Sequence, residues 1–192
     1  MARIKGAGMH VYKGREFVVA EITQSQRMFA ELEYKSRFEK SNIVNGHTVY
    51  NRKRSRLAGI LGELVFAELY PDAQKSKRYG YDFIRDGKRI DVKCKCRNYP
   101  PRITDQASVF DYQDKDQIDI YYFMSTTPQF EKVWLCGWIG KEELLNHMQL
   151  EHWLPGQVDH DNGMRFRSDT IALKYQYLHP ILLGKLVRDP MR

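Results

Sequence analysis

The stretch Tyr79-Gly-Tyr-Asp-Phe-Ile-Arg-Asp-Gly-Lys-Arg-Ile-Asp-Val-Lys-Cys-Lys-Cys-Arg97 decides how the chain is read. At its middle, Asp86-Gly87 suits a type I′ turn, which needs positive φ at both central residues and matches the twist of its flanking strands. With that pair as the loop, the register follows. Arg85 faces Lys88, Ile84 faces Arg89, Phe83 faces Ile90 and Asp82 faces Asp91. Residues directly opposite in an antiparallel pair lie about 4.5–5.5 Å apart and project to the same side. Two carboxylates are therefore predicted side by side, and the two-residue period of a strand puts Lys93 and Lys95 on their face. Phe83, Ile90, Val92, Cys94 and Cys96 take the other face and read as core, while Lys93 falls opposite Gly80.

Adjacent carboxylates repel, and each disfavours ionisation of the other. A fold keeps such a pair where a cation neutralises it, and hard divalent ions such as Mg²⁺ take carboxylate oxygens. The plainer alternative is an exposed polar hairpin face, its charges solvated and Asp82 and Asp91 offset by Lys93 and Lys95. The hairpin alone leaves both readings open.

The other residues shift the balance. The length, 192 residues, suits one domain with a proper core. Hydrophobic residues at 42% and charged residues at 29% are ordinary for a soluble globular protein. No apolar run is long enough to predict a transmembrane helix, and Met1-Ala-Arg-Ile-Lys-Gly lacks the apolar stretch of a signal peptide. The three cysteines, Cys94, Cys96 and Cys136, cannot all pair within the chain, and they read as free buried thiols of a reducing cytoplasm. Cys-x-Cys is not the usual spacing of a zinc finger, which argues against a zinc site built from them. With net charge +7 and pI near 9.2, the surface should attract polyanions. The basic residues also cluster: Arg52-Lys53-Arg54-Ser55-Arg56, then Lys75, Lys77 and Arg78, then Lys93, Lys95, Arg97 and Arg102. These clusters bracket the carboxylates, with Tyr99 and Tyr112 close in sequence, a pattern that suits a nucleic-acid backbone.

In chain order, Val11-Tyr12 and Phe17-Val18-Val19, split by Lys13-Gly14, read as a small hairpin. Thr23-Gln24-Ser25-Gln26 has the form of a capping box and opens a helix to about Lys40, with Met28, Leu32 and Phe38 predicted inward. From about Arg52 to Leu69 a second helix is marked by Leu57, Ile60, Leu61, Leu64 and Val65, an amphipathic stripe that Pro71 ends. Glu63 sits at the edge of that stripe, with small residues Gly59 and Ala67 one turn to either side. Residues 103–117 read as loop or short helix, Ile118–Ser125 and Lys132–Gly140 as strands, Lys141–Leu150 as a short helix, and Thr170–Leu178 as a last extended piece. Asp159-His160-Asp161-Asn162-Gly163 is rich in ligand-type residues but lacks EF-hand spacing. No Walker-type loop is present, so no nucleotide-driven activity is implied.

A helix bearing Glu63, a strand led by Asp82, and a strand carrying Asp91-Val92-Lys93 form a pattern that resembles the PD-(D/E)XK nuclease superfamily over roughly residues 52–140. Val133-Trp-Leu-Cys-Gly-Trp-Ile139, followed by a short helix, is similar to small phage or archaeal members. The resemblance implies an α/β (α+β) fold with a restriction-endonuclease-like core, in which a central mixed sheet is flanked by helices. The domain would span residues 46–192, and residues 1–45 would form an N-terminal extension. It implies a divalent-metal-dependent nuclease that hydrolyses DNA phosphodiester bonds as an endonuclease, resolvase or exonuclease. Asp82 and Asp91 would ligate Mg²⁺ or Mn²⁺, the Val92 carbonyl would add an oxygen, and Glu63 would complete or extend the site. Lys93 would position or activate the attacking water. Lys95, Arg97, Arg102, Lys75, Lys77, Arg78, Arg54 and Arg56 would contact DNA, duplex or branched. Tyr81 stands where the family pattern has Pro. A literal Pro71-Asp72 lies upstream at a helix end, outside the hairpin register, and reads as a decoy.

The alternative is a non-catalytic DNA-binding or assembly protein on the same fold. It has no evident need for Glu63, Asp82, Asp91 and Lys93 together. Nothing in the sequence reads a ribose 2′-hydroxyl, which ranks an RNA-directed nuclease below both. A cytoplasmic location is expected (a host's, if phage-encoded), with no membrane partner and with a homodimer open as an assembly.

Overall fold

The computed structural model describes residues 8–38, 46–77, 80–110, 117–158 and 165–181, with residues 46–52 described by their backbone alone. Arg78, Tyr112 and the 159–163 loop of the sequence reading lie outside the described residues. The chain is mixed α/β. Strands β1 (Gly8–Tyr12) and β2 (Arg15–Glu21) lead to helices α1 (Gln24–Phe38) and α2 (Gly46–Leu69). Then come β3 (Gln74–Lys75), β4 (Phe83–Arg85), β5 (Lys88–Cys96), β6 (Gln106–Phe110), β7 (Ile120–Thr126) and β8 (Lys132–Gly140). A short α3 (Lys141–Leu145), β9 (Glu151–Trp153) and β10 (Thr170–Lys174) follow.

A seven-stranded mixed sheet runs in the order β1-β2-β8-β7-β5-β4-β3, and a three-stranded sheet in the order β6-β10-β9. Within the large sheet β5 and β7 are parallel and the other neighbours antiparallel. The parallel pair requires a crossover, and the segment between its strands carries β6 into the small sheet. Two apolar cores result. On one face, Val18, Ala20, Ile90, Val92, Tyr122 and Met124 pack under α1 and α2. On the other, Val19, Tyr121, Phe123, Trp134 and Cys136 pack with Ala107, Val109, Ile171 and Leu173 of the small sheet. The architecture is helices, large sheet, small sheet.

Local chemistry accounts for several boundaries. Lys13 and Gly14 take φ of 48° and 80°, and Asp86 and Gly87 take 49° and 75°, so each pair closes its hairpin with positive φ at both central residues. The capping box forms reciprocally: Gln26 N–H donates to Thr23 Oγ1 at 3.2 Å, and Thr23 N–H to Gln26 Oε1 at 2.7 Å. In α2, Leu57, Ile60, Leu61 and Val65 are buried as the stripe requires. Gly62 permits the close approach of α2 to the sheet, since a Cβ there would lie 2.6 Å from Cys94 Cβ on β5. Phe66, one turn on, meets Phe83 at 4.8 Å and Tyr122 at 5.0 Å, which fixes the C-terminal half of α2 over β4, β5 and β7.

Four expectations need correction. Met28 and Leu32 of α1 are 60% and 65% exposed, because the helix buries Ala30 and Tyr34 instead. Residues 106–110 form strand β6, which gains its partner from β10, with Ala172 opposite Ser108. Helix α3 stops at Leu145, and Glu151–Trp153 extends the small sheet. Gly80 is not paired across from Lys93; it takes φ of +107° beside Gln117. Residues 8–38, inside the predicted N-terminal extension, supply two strands of the large sheet and α1, so they belong to the same layers as the rest.

Candidate active site

The hairpin register is as predicted from Arg85–Lys88 through Phe83–Ile90. Beyond Phe83 the ladder changes. Asp82 N–H donates to Ile90 O at 2.8 Å, and the Asp82 carboxylate, through Oδ2, accepts the Val92 N–H at 2.7 Å. The side chain of Asp82 thus stands in for a main-chain acceptor and leans across the start of β5 toward Asp91. Its own carbonyl accepts from Ser76 N–H at 2.7 Å, tying the segment after β3 to the same point.

Asp91 is buried, at 6% exposure. Lys93 Nζ lies 2.8 Å from Asp91 Oδ2, an ion-pair distance, but off hydrogen-bonding geometry, so that buried oxygen accepts no hydrogen bond. The electrostatics bear most heavily on Asp82. Burial, then the negative charges of Asp91 and Glu63, push its carboxyl up to about 7, against the Val92 N–H and the Lys93 ammonium, which pull it down. One more polar atom is stranded here. Tyr121, beside Asp91 in the parallel β5–β7 register, has a buried hydroxyl with no hydrogen-bond partner. Burial and the Asp91 charge raise its pKa. Tyr121 was missed in the sequence, because in the continuous apolar run of β7 nothing marks which tyrosine faces a carboxylate.

Glu63 arrives from the helix side. Its Oε2 is 3.1 Å from Lys75 Nζ and 3.8 Å from Arg37 Nη1. Those three residues, with Ser76, Lys77, Tyr81 and Asp82, line a cleft of about 370 Å³ at the sheet edge. Arg37 on α1 is the second residue that sequence reasoning missed; its spacing from the hairpin carries no signal. Among the described residues, no three His, Cys, Asp or Glu side chains gather closely enough to hold a metal ion. Asp82 and Asp91 are the carboxylates brought together, and Glu63 is drawn toward Lys75 and Arg37.

The predicted DNA contacts divide. Lys77 is exposed on the cleft lip; Arg102 is exposed outside the cleft lining, its guanidinium 4.5 Å over the Tyr99 ring. Lys95 Nζ instead donates to Gln106 O at 3.1 Å and Ser108 Oγ at 2.6 Å. Arg97 donates to Gln106 O at 2.9 Å and pairs with Asp105 at 3.8 Å. Both are turned inward to hold the small sheet against the large one. Arg56 stacks 4.1 Å over Phe38, and Arg54 is partly buried in α2. Asp72 is bound by Arg85 at 2.8 Å and is absent from the cleft lining. All three cysteines are free thiols.

No protein-family model, no curated protein and no solved structure matches the chain. Among the described residues, no helix is long and apolar enough to cross a membrane.

Proposed function

We propose that the protein is a divalent-metal-dependent nuclease acting on DNA phosphodiester bonds, on a restriction-endonuclease-like core. The observation that supports this best is the trio Asp82, Asp91 and Lys93. Two mutually repelling carboxylates sit together, one with its pKa raised to about 7 and the other with a buried oxygen that accepts no hydrogen bond, beside an ammonium group. A carboxylate raised by burial and by like charges, on the lining of a cleft, suits chemistry.

The donor set fits the ion. Asp82 and Asp91 offer hard anionic oxygens, as Mg²⁺ or Mn²⁺ requires, and Asp91 Oδ2 has an acceptor site to spare. With the two carboxylates would go the Val92 carbonyl. A bound ion lowers the pKa of water and neutralises charge developing on a phosphate. The chain's own groups do the rest. The Val92 N–H holds Asp82 in place, and Lys93 hydrogen-bonds the attacking water or a phosphate oxygen. Water oxygen forms the new bond to phosphorus as a P–O ester bond breaks, and the water's proton is lost to solvent while the leaving oxygen is protonated. Lys93 offsets the added negative charge on the phosphate oxygens.

The test is cleavage of branched, linear duplex, nicked and single-stranded DNA with Mg²⁺ or Mn²⁺ against EDTA, with Lys93→Ala protein alongside. Metal-dependent cutting that vanishes in Lys93→Ala supports the reading. A second reading, a DNA-binding protein without cleavage activity, is favoured by the pairing of Glu63 with Lys75 and Arg37. Binding without cutting on every substrate would select it.

A further inference from the structure

The cleft has an internal order that the carboxylates alone do not explain. Glu63 is inside, its side chain 15% exposed, while the two cations on it open outward, Lys75 at 52% and Arg37 at 34%. Both address the same oxygen, Oε2. Arg37 is also held from behind, its Nε donating to Glu33 Oε1 at 2.7 Å one turn earlier in α1. Lys77 stands exposed on the lip. An anion entering the cleft therefore meets three cations first, with the Asp82 carboxylate on the same lining. The volume, about 370 Å³, is in the range of small-molecule sites.

We propose that Arg37, Lys75 and Lys77 form a phosphate-binding wall for one nucleic-acid strand, and that Glu63 positions Arg37 and Lys75 in it and is not a metal ligand. This rests on reading the cleft as a phosphodiester site, and it assigns α1 a part in substrate binding. The chemistry is consistent with the separation of charges. A carboxylate already engaged by an ammonium and a guanidinium has little left to offer an ion, whereas its partners keep N–H groups free to donate outward. Glu63 sets their direction, and the bond to Glu33 keeps Arg37 from swinging away.

Two measurements decide it. The first is anisotropy of a labelled DNA oligonucleotide in EDTA across a salt series, so that neither metal nor cleavage enters. Arg37→Gln and Lys75→Gln each weaken binding several-fold and reduce the slope of log K against log salt by about one phosphate contact, and Lys77→Gln does the same. Lys132→Gln, at the opposite end of the strands, leaves both unchanged. The second is Mn²⁺ binding followed by electron paramagnetic resonance. Glu63→Gln keeps its affinity within about twofold, and Asp82→Asn lowers it at least tenfold, on the scale of a lost ligand. If Glu63→Gln loses Mn²⁺ affinity as far as Asp82→Asn, Glu63 is a ligand and the assignment is overturned. If wild type binds DNA and the wall variants bind equally well with an unchanged slope, the wall is wrong and the nuclease reading survives. If wild type binds no DNA, the nuclease reading itself falls.

Discussion

The two halves of β5's polar row carry the same kinds of residues and meet opposite fates. At the C-terminal half, Lys95 is bound by Gln106 O and Ser108 Oγ, and Arg97 by Gln106 O and Asp105, beneath the ring of Tyr175 at 5.6 Å. Only Nε of Arg97 is left without a partner. At the N-terminal half, Asp91 and Lys93 have mainly each other, and burial with the charges of Asp91 and Glu63 pushes the Asp82 carboxyl up to about 7. The difference comes from what covers the strand. The small sheet lies over the later residues and supplies acceptors; beside the earlier ones stands Asp82, which lines the cleft. Polar satisfaction marks structure, and its absence marks a place kept ready for something else.

Two substitutions break that comparison most sharply. Lys93→Ala should reduce cleavage by about a thousandfold, the scale of losing an aligned charge in a reaction site, and leave the protein folded at the assay temperature. Arg97→Ala should do the reverse, costing about 3–5 kcal/mol of stability by leaving the buried Asp105 charge without its guanidinium and Gln106 O with Lys95 alone. Denaturant unfolding and the cleavage assay, run on both proteins, check the pair. If Lys93→Ala unfolded the protein, or Arg97→Ala affected only activity, the two halves would not differ in kind.

Gly62 tests how the site depends on the helix behind the sheet. A methyl at this position meets Cys94 Cβ, an atom fixed to the backbone and unable to swing aside. Gly62→Ala should therefore cost about 1–3 kcal/mol by overpacking, less a small gain in helix propensity. It should also move Glu63 away from Lys75 on β3, so DNA affinity should fall together with stability. Urea unfolding and anisotropy measure both, and an unchanged urea midpoint would show that α2 is free to shift.

How much of this was legible in the chain depends on whether the deciding interaction is local. The turns at Lys13-Gly14 and Asp86-Gly87, the capping box at Thr23 and the stripe of α2 rest on neighbouring residues, and each forms as read. The faces of β5 followed from the turn. The fate of Lys95 and Arg97 did not, because their partners lie on β6, and Gln106-Ala-Ser-Val-Phe110 has too weak an alternation to announce a strand. Met28 and Leu32 read as inward for their hydrophobicity, yet the place of α1 is set by Ala30 and Tyr34. The approach of Arg37 to Glu63 is tertiary throughout.

Asp82→Asn sharpens the comparison through pH. The folded-state value, about 7, lies above the ordinary 3.8, so folding penalises the charged form. Stability is fullest below the unfolded value, declines as pH rises toward about 7, and is level above it. The asparagine amide still offers an oxygen to Val92 N–H and carries no charge. The variant should therefore melt several degrees higher than wild type at pH 8 and nearly equal to it at pH 4, while losing cleavage. Thermal unfolding at the two pH values measures this; a lower melting temperature at pH 8 would mean that the Asp82 charge is welcome in the fold and that no cation is needed there.

The smallest effect belongs to Tyr121. Its hydroxyl is buried beside Asp91 without a partner, so it already bears the cost of desolvation. Removing it as Tyr121→Phe keeps the ring that packs between Phe123 and the small-sheet core and deletes only the stranded oxygen. If the hydroxyl is a bystander, stability should hold within about 0.5 kcal/mol or rise slightly, with cleavage unchanged. If instead it serves the site through Asp91, stability will still hold but cleavage will fall several-fold and its pH profile will shift, as the orientation of Asp91 changes. The comparison of the two strand halves favours the second result. A polar atom left unsatisfied beside Asp91 belongs with the carboxylate end of β5, and not with the Lys95–Arg97 end whose cations the small sheet engages.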